Sequence, residues 1–132
     1  MKKYIPLFIL VFILSFAFTV RTFQLQQVPA GFFGDEASIA YNAYQILNTG
    51  KDEFGVSYPI FFQSFGDYKN PLFIYSAIPF IKVFGLTEFA VRLQSTVYGL
   101  ITIVFLYLLA KEWFSRKAGL LAAFVATTMP WL

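Results

Sequence analysis

The chain reads as an all-α, polytopic membrane protein, and three observations carry that reading. Of its 132 residues 58% are hydrophobic and 21% aromatic, while 13% are charged, and mean hydropathy is +0.66. A soluble domain is nearer a quarter charged. Apolar runs recur at lengths suited to a bilayer, and Lys and Arg gather at or between their ends.

Composition also narrows the chemistry. Cys is absent, so neither disulfides nor thiolate metal sites are available, and the redox compartment cannot be read. His is absent as well, which removes the commonest general base and the commonest metal ligand. Acid–base work would fall to Asp, Glu, Lys or Tyr. The net charge of +3 is small and reflects where basic residues lie relative to membrane lipids. It points to no nucleic-acid partner.

The first apolar run, Tyr4 to Val20, is bracketed by Lys2-Lys3 and Arg21. As helix it reaches about 25 Å, enough for a transmembrane span over 4–20. A cleaved signal peptide is the alternative, with Lys2-Lys3 as its basic end and Ser15-Phe16-Ala17 as a cleavage site. The run continues through Phe18 and Val20, which favours the span.

Residues 21–92 then form a long external loop. Within it Ala40, Ala43, Tyr44 and Leu47 make one helical face; Ser38, Asn42, Gln45 and Thr49 make the other. Asp35 suits an N-cap and Gly50 a stop, which predicts a surface helix over about 35–49. Lys51 to Tyr68 contains Gly55, Pro59 and Gly66 and reads as an irregular loop. Leu72 to Phe84 is apolar but reaches only about 20 Å as helix. It also carries Pro79 and Lys82, so it reads as a second surface helix, about 71–84.

Leu93 to Ala110 reaches about 27 Å and reads as a span over 93–110. Lys111, Arg116 and Lys117 follow in 111–118, a short loop of the kind that collects positive charge in the cytoplasm. With Lys2-Lys3 also cytoplasmic, an even number of crossings must separate the two basic clusters. Counting Leu72–Phe84 as interfacial satisfies this; counting it as a span does not. The N-terminus is therefore expected in the cytoplasm of a multi-pass cell-membrane protein. Residues 119–132 read as the start of another, truncated span, which makes this the expected N-terminal portion of a longer protein.

Two polar signatures interrupt the apolar pattern: Phe33-Gly34-Asp35-Glu36-Ala37 and Phe65-Gly66-Asp67-Tyr68-Lys69-Asn70-Pro71. A carboxylate and an ammonium at a membrane surface suit a phosphate-linked substrate held in the bilayer. Each has a plain alternative. An acidic pair at a helix start caps free N–H groups for about 0.5–2 kcal/mol. A lone interfacial lysine snorkels. Asp67 after Gly66 suits a turn.

In order along the chain stand Asp35-Glu36-Ala37, Tyr68-Lys69-Asn70-Pro71-Leu72, and Phe84-Gly85-Leu86-Thr87-Glu88-Phe89-Ala90-Val91-Arg92-Leu93. As an ordered set these resemble glycosyltransferase family 39, the membrane transferases of the protein O-mannosyltransferase and aminoarabinose transferase type, with the C-type fold. The resemblance implies transfer of a sugar from a polyprenyl-phosphate donor to an acceptor hydroxyl on the extracytoplasmic side. The acceptor would be a lipid, glycan or protein. Asp35 would take or orient the acceptor proton, typically worth about 10²–10⁴-fold. Glu36 would be its helper or a structural neighbour. Lys69 would meet the charge developing on the departing lipid phosphate, with Tyr68 and Asp67 beside it on the substrate side.

The sequence departs from the pattern at two places. Asn70 stands where the first of two prolines is usual, so the loop is expected to bend differently. Some relatives place an acidic residue or His before the lysine as a metal ligand; here Tyr68 stands there, with Asp67 the substitute candidate. No cofactor is required by this reading, and a divalent metal is left without an evident ligand set. Arg92 is expected to anchor in headgroups or pair with Glu88 at i, i+4 rather than bind substrate. Relatives have more spans and a second external loop with another acidic residue, so this segment alone is expected to be inactive. The competing class is a non-enzymatic multi-pass module, part of a transporter or an assembly protein. It would place charges within the spans, and Leu93–Ala110 holds none.

Overall fold

A computed structural model describes residues 4–27, 30–64 and 66–129, with the side chain of Asp67 left aside. Lys2-Lys3 and the terminal Pro130-Trp131-Leu132 lie outside the described residues. Among the described residues are five helices: α1 (Ile5–Thr22), α2 (Gly34–Thr49), α3 (Pro71–Phe84), α4 (Glu88–Trp113) and α5 (Arg116–Thr128). Two short strands, β1 (Phe62–Ser64) and β2 (Asp67–Lys69), pair antiparallel between α2 and α3. The architecture is mostly helical, and two helices, α1 and α4, are long and apolar enough to cross a membrane. The chain divides into two compact units, one of Met1–Phe23 with Ser95–Leu132, the other of Gln24–Gln94.

In the first unit α1 packs on α5. Leu10, Ile13 and Ala17 of α1 meet Ile103 and Tyr107 of α4 and Ala123 and Ala126 of α5 in one buried cluster. Their spacing of three and four residues is what one helical face supplies. Phe8, Phe12, Leu7 and Val11 stay exposed on α1. The α4–α5 turn is capped by Ser115, whose Oγ accepts from the Ala118 N–H at 3.2 Å. Gly119 lets the two helices touch: a Cβ there would lie 2.7 Å from the Tyr107 carbonyl oxygen. Arg21 donates to the carbonyls of Ala126 and Thr127 at 3.3 Å each, supplying donors to the last turn of α5.

In the second unit α2 packs on α3. Ala40, Ala43, Ile46, Phe62, Ile74, Ala77, Ile81, Ala90 and Val91 form its buried cluster. Tyr75 stacks edge-on against Phe62, ring centroids 5.4 Å apart, and donates its hydroxyl to the Pro59 carbonyl at 2.9 Å. Burial first, then Tyr58 and Asp52, pushes the Tyr75 phenol above its ordinary value. Its protonated form is therefore the one the fold favours; that contribution is whole below about pH 10 and lost as pH rises through the raised value.

Two expectations are corrected here. Asp35 is not the N-cap of α2. That position is Phe33, with extended backbone, and Asp35 lies inside the first turn. The stretch Lys51–Tyr68 is not wholly irregular, since it holds β1 and the start of β2, in the register Phe62 with Lys69, Gln63 with Tyr68 and Ser64 with Asp67. The polar face of α2 is partly buried. Ser38 and Asn42 are buried, because Ser38 bonds Ser64 of β1 and Asn42 bonds both the side chain and the backbone N–H of Glu53. A buried polar group is tolerated when it is hydrogen-bonded.

Candidate active site

The site is assembled from the first turn of α2 and the last residue of β2. Along the hairpin, burial alternates as strand geometry demands. Phe62 and Ser64 are buried while Gln63 and Tyr68 are exposed. Lys69, paired with Phe62, is 21% exposed and so lies toward the buried face. The Ser38–Ser64 bond ties that face to α2 one turn beyond Asp35. The result is a contact between residues far apart in sequence: Lys69 Nζ lies 2.7 Å from Asp35 Oδ1.

The departure at Asn70 has a local explanation. Asn70 has φ −65° and ψ 121°, the backbone a proline would hold, and its Oδ1 accepts from the Leu72 N–H at 2.9 Å. It caps α3, and Pro71 takes the first helical position, where its missing N–H is no loss. Asn70 thus holds a backbone conformation that a proline could also adopt between Lys69 and α3.

Glu36 is engaged elsewhere. Its carboxylate accepts from the Phe33 N–H at 3.3 Å and from Arg92, Nε at 3.4 Å and a terminal nitrogen at 3.2 Å. It is thus committed to the start of α2, next to Asp35 but turned to a different partner. Glu88 pairs with Arg92 at 3.4 Å, the i, i+4 pair expected from spacing. Tyr68 is exposed on the hairpin's outer face and Asp67 holds the register place opposite Ser64; the side chain of Asp67 is outside the described set. A cleft of about 500 Å³ opens beside Glu36, lined by Ala30, Gly31, Phe32 and Phe33. Among the described residues no three acidic side chains gather closely enough to hold a metal ion.

The sequence singles out Asp35 and Lys69, which the structure brings into contact, but it does not announce the Glu36–Arg92 pair, though both residues stand in the quoted motifs. Nor does it announce the Ser38–Ser64 and Asn42–Glu53 links, for which no sequence signal exists.

The protein family comparison supplies the class, a membrane glycosyltransferase, and then the particular family. Residues 68–132 match the family model described as dolichyl-phosphate-mannose-protein mannosyltransferase. Over that stretch the chain is similar to the family that the ordered motifs resemble. The match takes in Lys69 and the segment Glu88–Arg92, while Asp35 and Glu36 precede it. No curated protein and no solved structure matches the chain.

Proposed function

We propose that the full-length gene product moves a sugar from a polyprenyl-phosphate donor to an acceptor hydroxyl on the extracytoplasmic side of the membrane. The observation that carries this reading is the 2.7 Å contact between Asp35 and Lys69. Asp35 is the base that takes or orients the acceptor proton. Lys69 is the cation that receives the phosphate of the departing lipid.

At rest the two groups neutralise each other. With Asp35 54% exposed, such a pair is worth only about 0–1 kcal/mol. The incoming donor phosphate is a diester with one negative charge, so it competes with Asp35 for Lys69 on equal terms against a pair that is cheap to open. The monoester left after transfer carries about −1.5 to −2 and holds Lys69 more strongly. The freed carboxylate is then available to the acceptor. The cleft beside Glu36, with Phe32 and Phe33 on its wall, offers apolar surface on the same turn of chain.

The topology belongs to the same proposal: α1 and α4 as spans, residues 21–92 external, 111–118 cytoplasmic. The apolar character of α1 and α4 supports it, as do the exposed Lys111, Arg116 and Lys117 between α4 and α5.

The test is a transfer assay in membranes with a panel of polyprenyl-phosphate sugars, wild type against Asp35→Asn at matched protein levels. Wild-type transfer that falls at least about 100-fold in the variant is the expected result. Wild type silent with every donor, or Asp35→Asn active at the wild-type rate, overturns the reading.

A further inference from the structure

Arg92 is 5% exposed, and its guanidinium is held on every side that the described residues show. It donates to the Leu25 carbonyl at 2.9 Å, to the Gly31 carbonyl at 2.8 Å and to the Glu36 carboxylate at 3.2 and 3.4 Å. Glu88 lies 3.4 Å from another of its nitrogens. A buried charge is costly unless paired and hydrogen-bonded; here two carboxylates and two carbonyls meet that requirement. The planar guanidinium reaches four groups at once, which a lysine ammonium on its single axis cannot copy. A cation so enclosed is poorly placed to meet a phosphate.

What Arg92 does hold is the turn of chain that carries Asp35. Gly31 and Glu36 flank that turn, and Glu36 also closes onto the Phe33 N–H. Asp35 and Glu36 are successive helical residues, about 100° apart around the axis, so Arg92 takes one direction and Lys69 the other.

We infer that Arg92 is a positioning residue for transfer: through Glu36 and the Leu25 and Gly31 carbonyls it fixes the first turn of α2 so that Asp35 faces Lys69. This rests on the reading of Asp35 as base. A loss of alignment of about 1 Å can cost on the order of 10²-fold in rate. The donor phosphate is met by Lys69, on a different segment.

Three readouts test this in the full-length protein in membranes. Arg92→Lys should lower kcat by about 10- to 100-fold with donor KM within about twofold of wild type. Glu36→Gln should fall in the same direction, and the double variant should be no slower than Arg92→Lys alone, since both changes break one device. Amide hydrogen exchange over residues 33–37 should rise in Arg92→Lys, while exchange over residues 71–84 stays as in wild type. A raised donor KM at unchanged kcat would mean that Arg92 binds substrate, and would overturn the inference. So would additive losses, or unchanged exchange over 33–37. If Arg92→Lys fails to insert, Glu36→Gln alone carries the kinetic and exchange arms. If wild type shows no transfer, the function falls but the exchange arm still decides whether Arg92 orders this turn.

Discussion

Asp35 sits inside the first turn of α2 rather than at its cap, and this changes what its removal does. A capping Asp would be replaced almost without loss by Asn. An Asp paired with Lys69 loses its charge in Asp35→Asn, yet the pair is exposed enough that stability should shift by no more than about 1 kcal/mol. Thermal unfolding near that of wild type, with transfer abolished, is the expected combination; a large drop in unfolding temperature would make Asp35 a structural residue. Lys69→Ala should act differently, raising donor KM more than it lowers kcat. A Lys69→Ala variant with wild-type donor KM would remove the phosphate from that residue. Both residues were legible because each stands in a short motif with a chemical reason to be polar. Arg92 was legible only by half. Its spacing to Glu88 predicts one partner, whereas Glu36 lies 56 residues away and nothing local announces it.

Helices were readable as elements because their apolar residues recur over many turns, and the hairpin was not because each strand has three residues. Phe62-Gln63-Ser64 is too short to display a period of two, and Gly66 looks like any loop glycine. The buried polar face of α2 was hidden for a related reason. Ser38 and Asn42 are polar by type, and only their partners in β1 and at Glu53 make burial tolerable. Asn70 looked like a defect in a proline motif and proves to be a cap with the proline's own φ. At this scale Gly119 gives the sharpest forecast. A Cβ there meets backbone, the Tyr107 oxygen at 2.7 Å, as well as Lys111 Cβ at 3.1 Å. Gly119→Val should therefore push α5 off α4 and cost about 1–3 kcal/mol, read as a lower unfolding temperature by circular dichroism in micelles. An unchanged unfolding temperature would mean that the helices separate without cost.

At the scale of the molecule, membrane character was legible from composition and from two apolar runs alone, and the structure has α1 and α4 long and apolar enough to cross. Orientation rests on basic residues, and the chain's lack of Cys makes it directly testable. Lys51→Cys should react with a membrane-impermeant maleimide on intact cells, and Lys117→Cys only after permeabilisation. Labelling of Lys117→Cys from outside would invert the proposed topology. The family match covers the second half of the chain, so the base and the cation of the proposed site come from segments with different standing in the comparison. That separation along the chain also has a consequence in time. A ribosome adds roughly 5–20 residues per second, so the stretch from Glu36 to Arg92 takes about 3–11 s to make. During that interval the turn bearing Asp35 is already synthesised while its clamp does not yet exist. The geometry of the proposed site is therefore a late product of biogenesis, completed only after the segment that opens α4 has emerged.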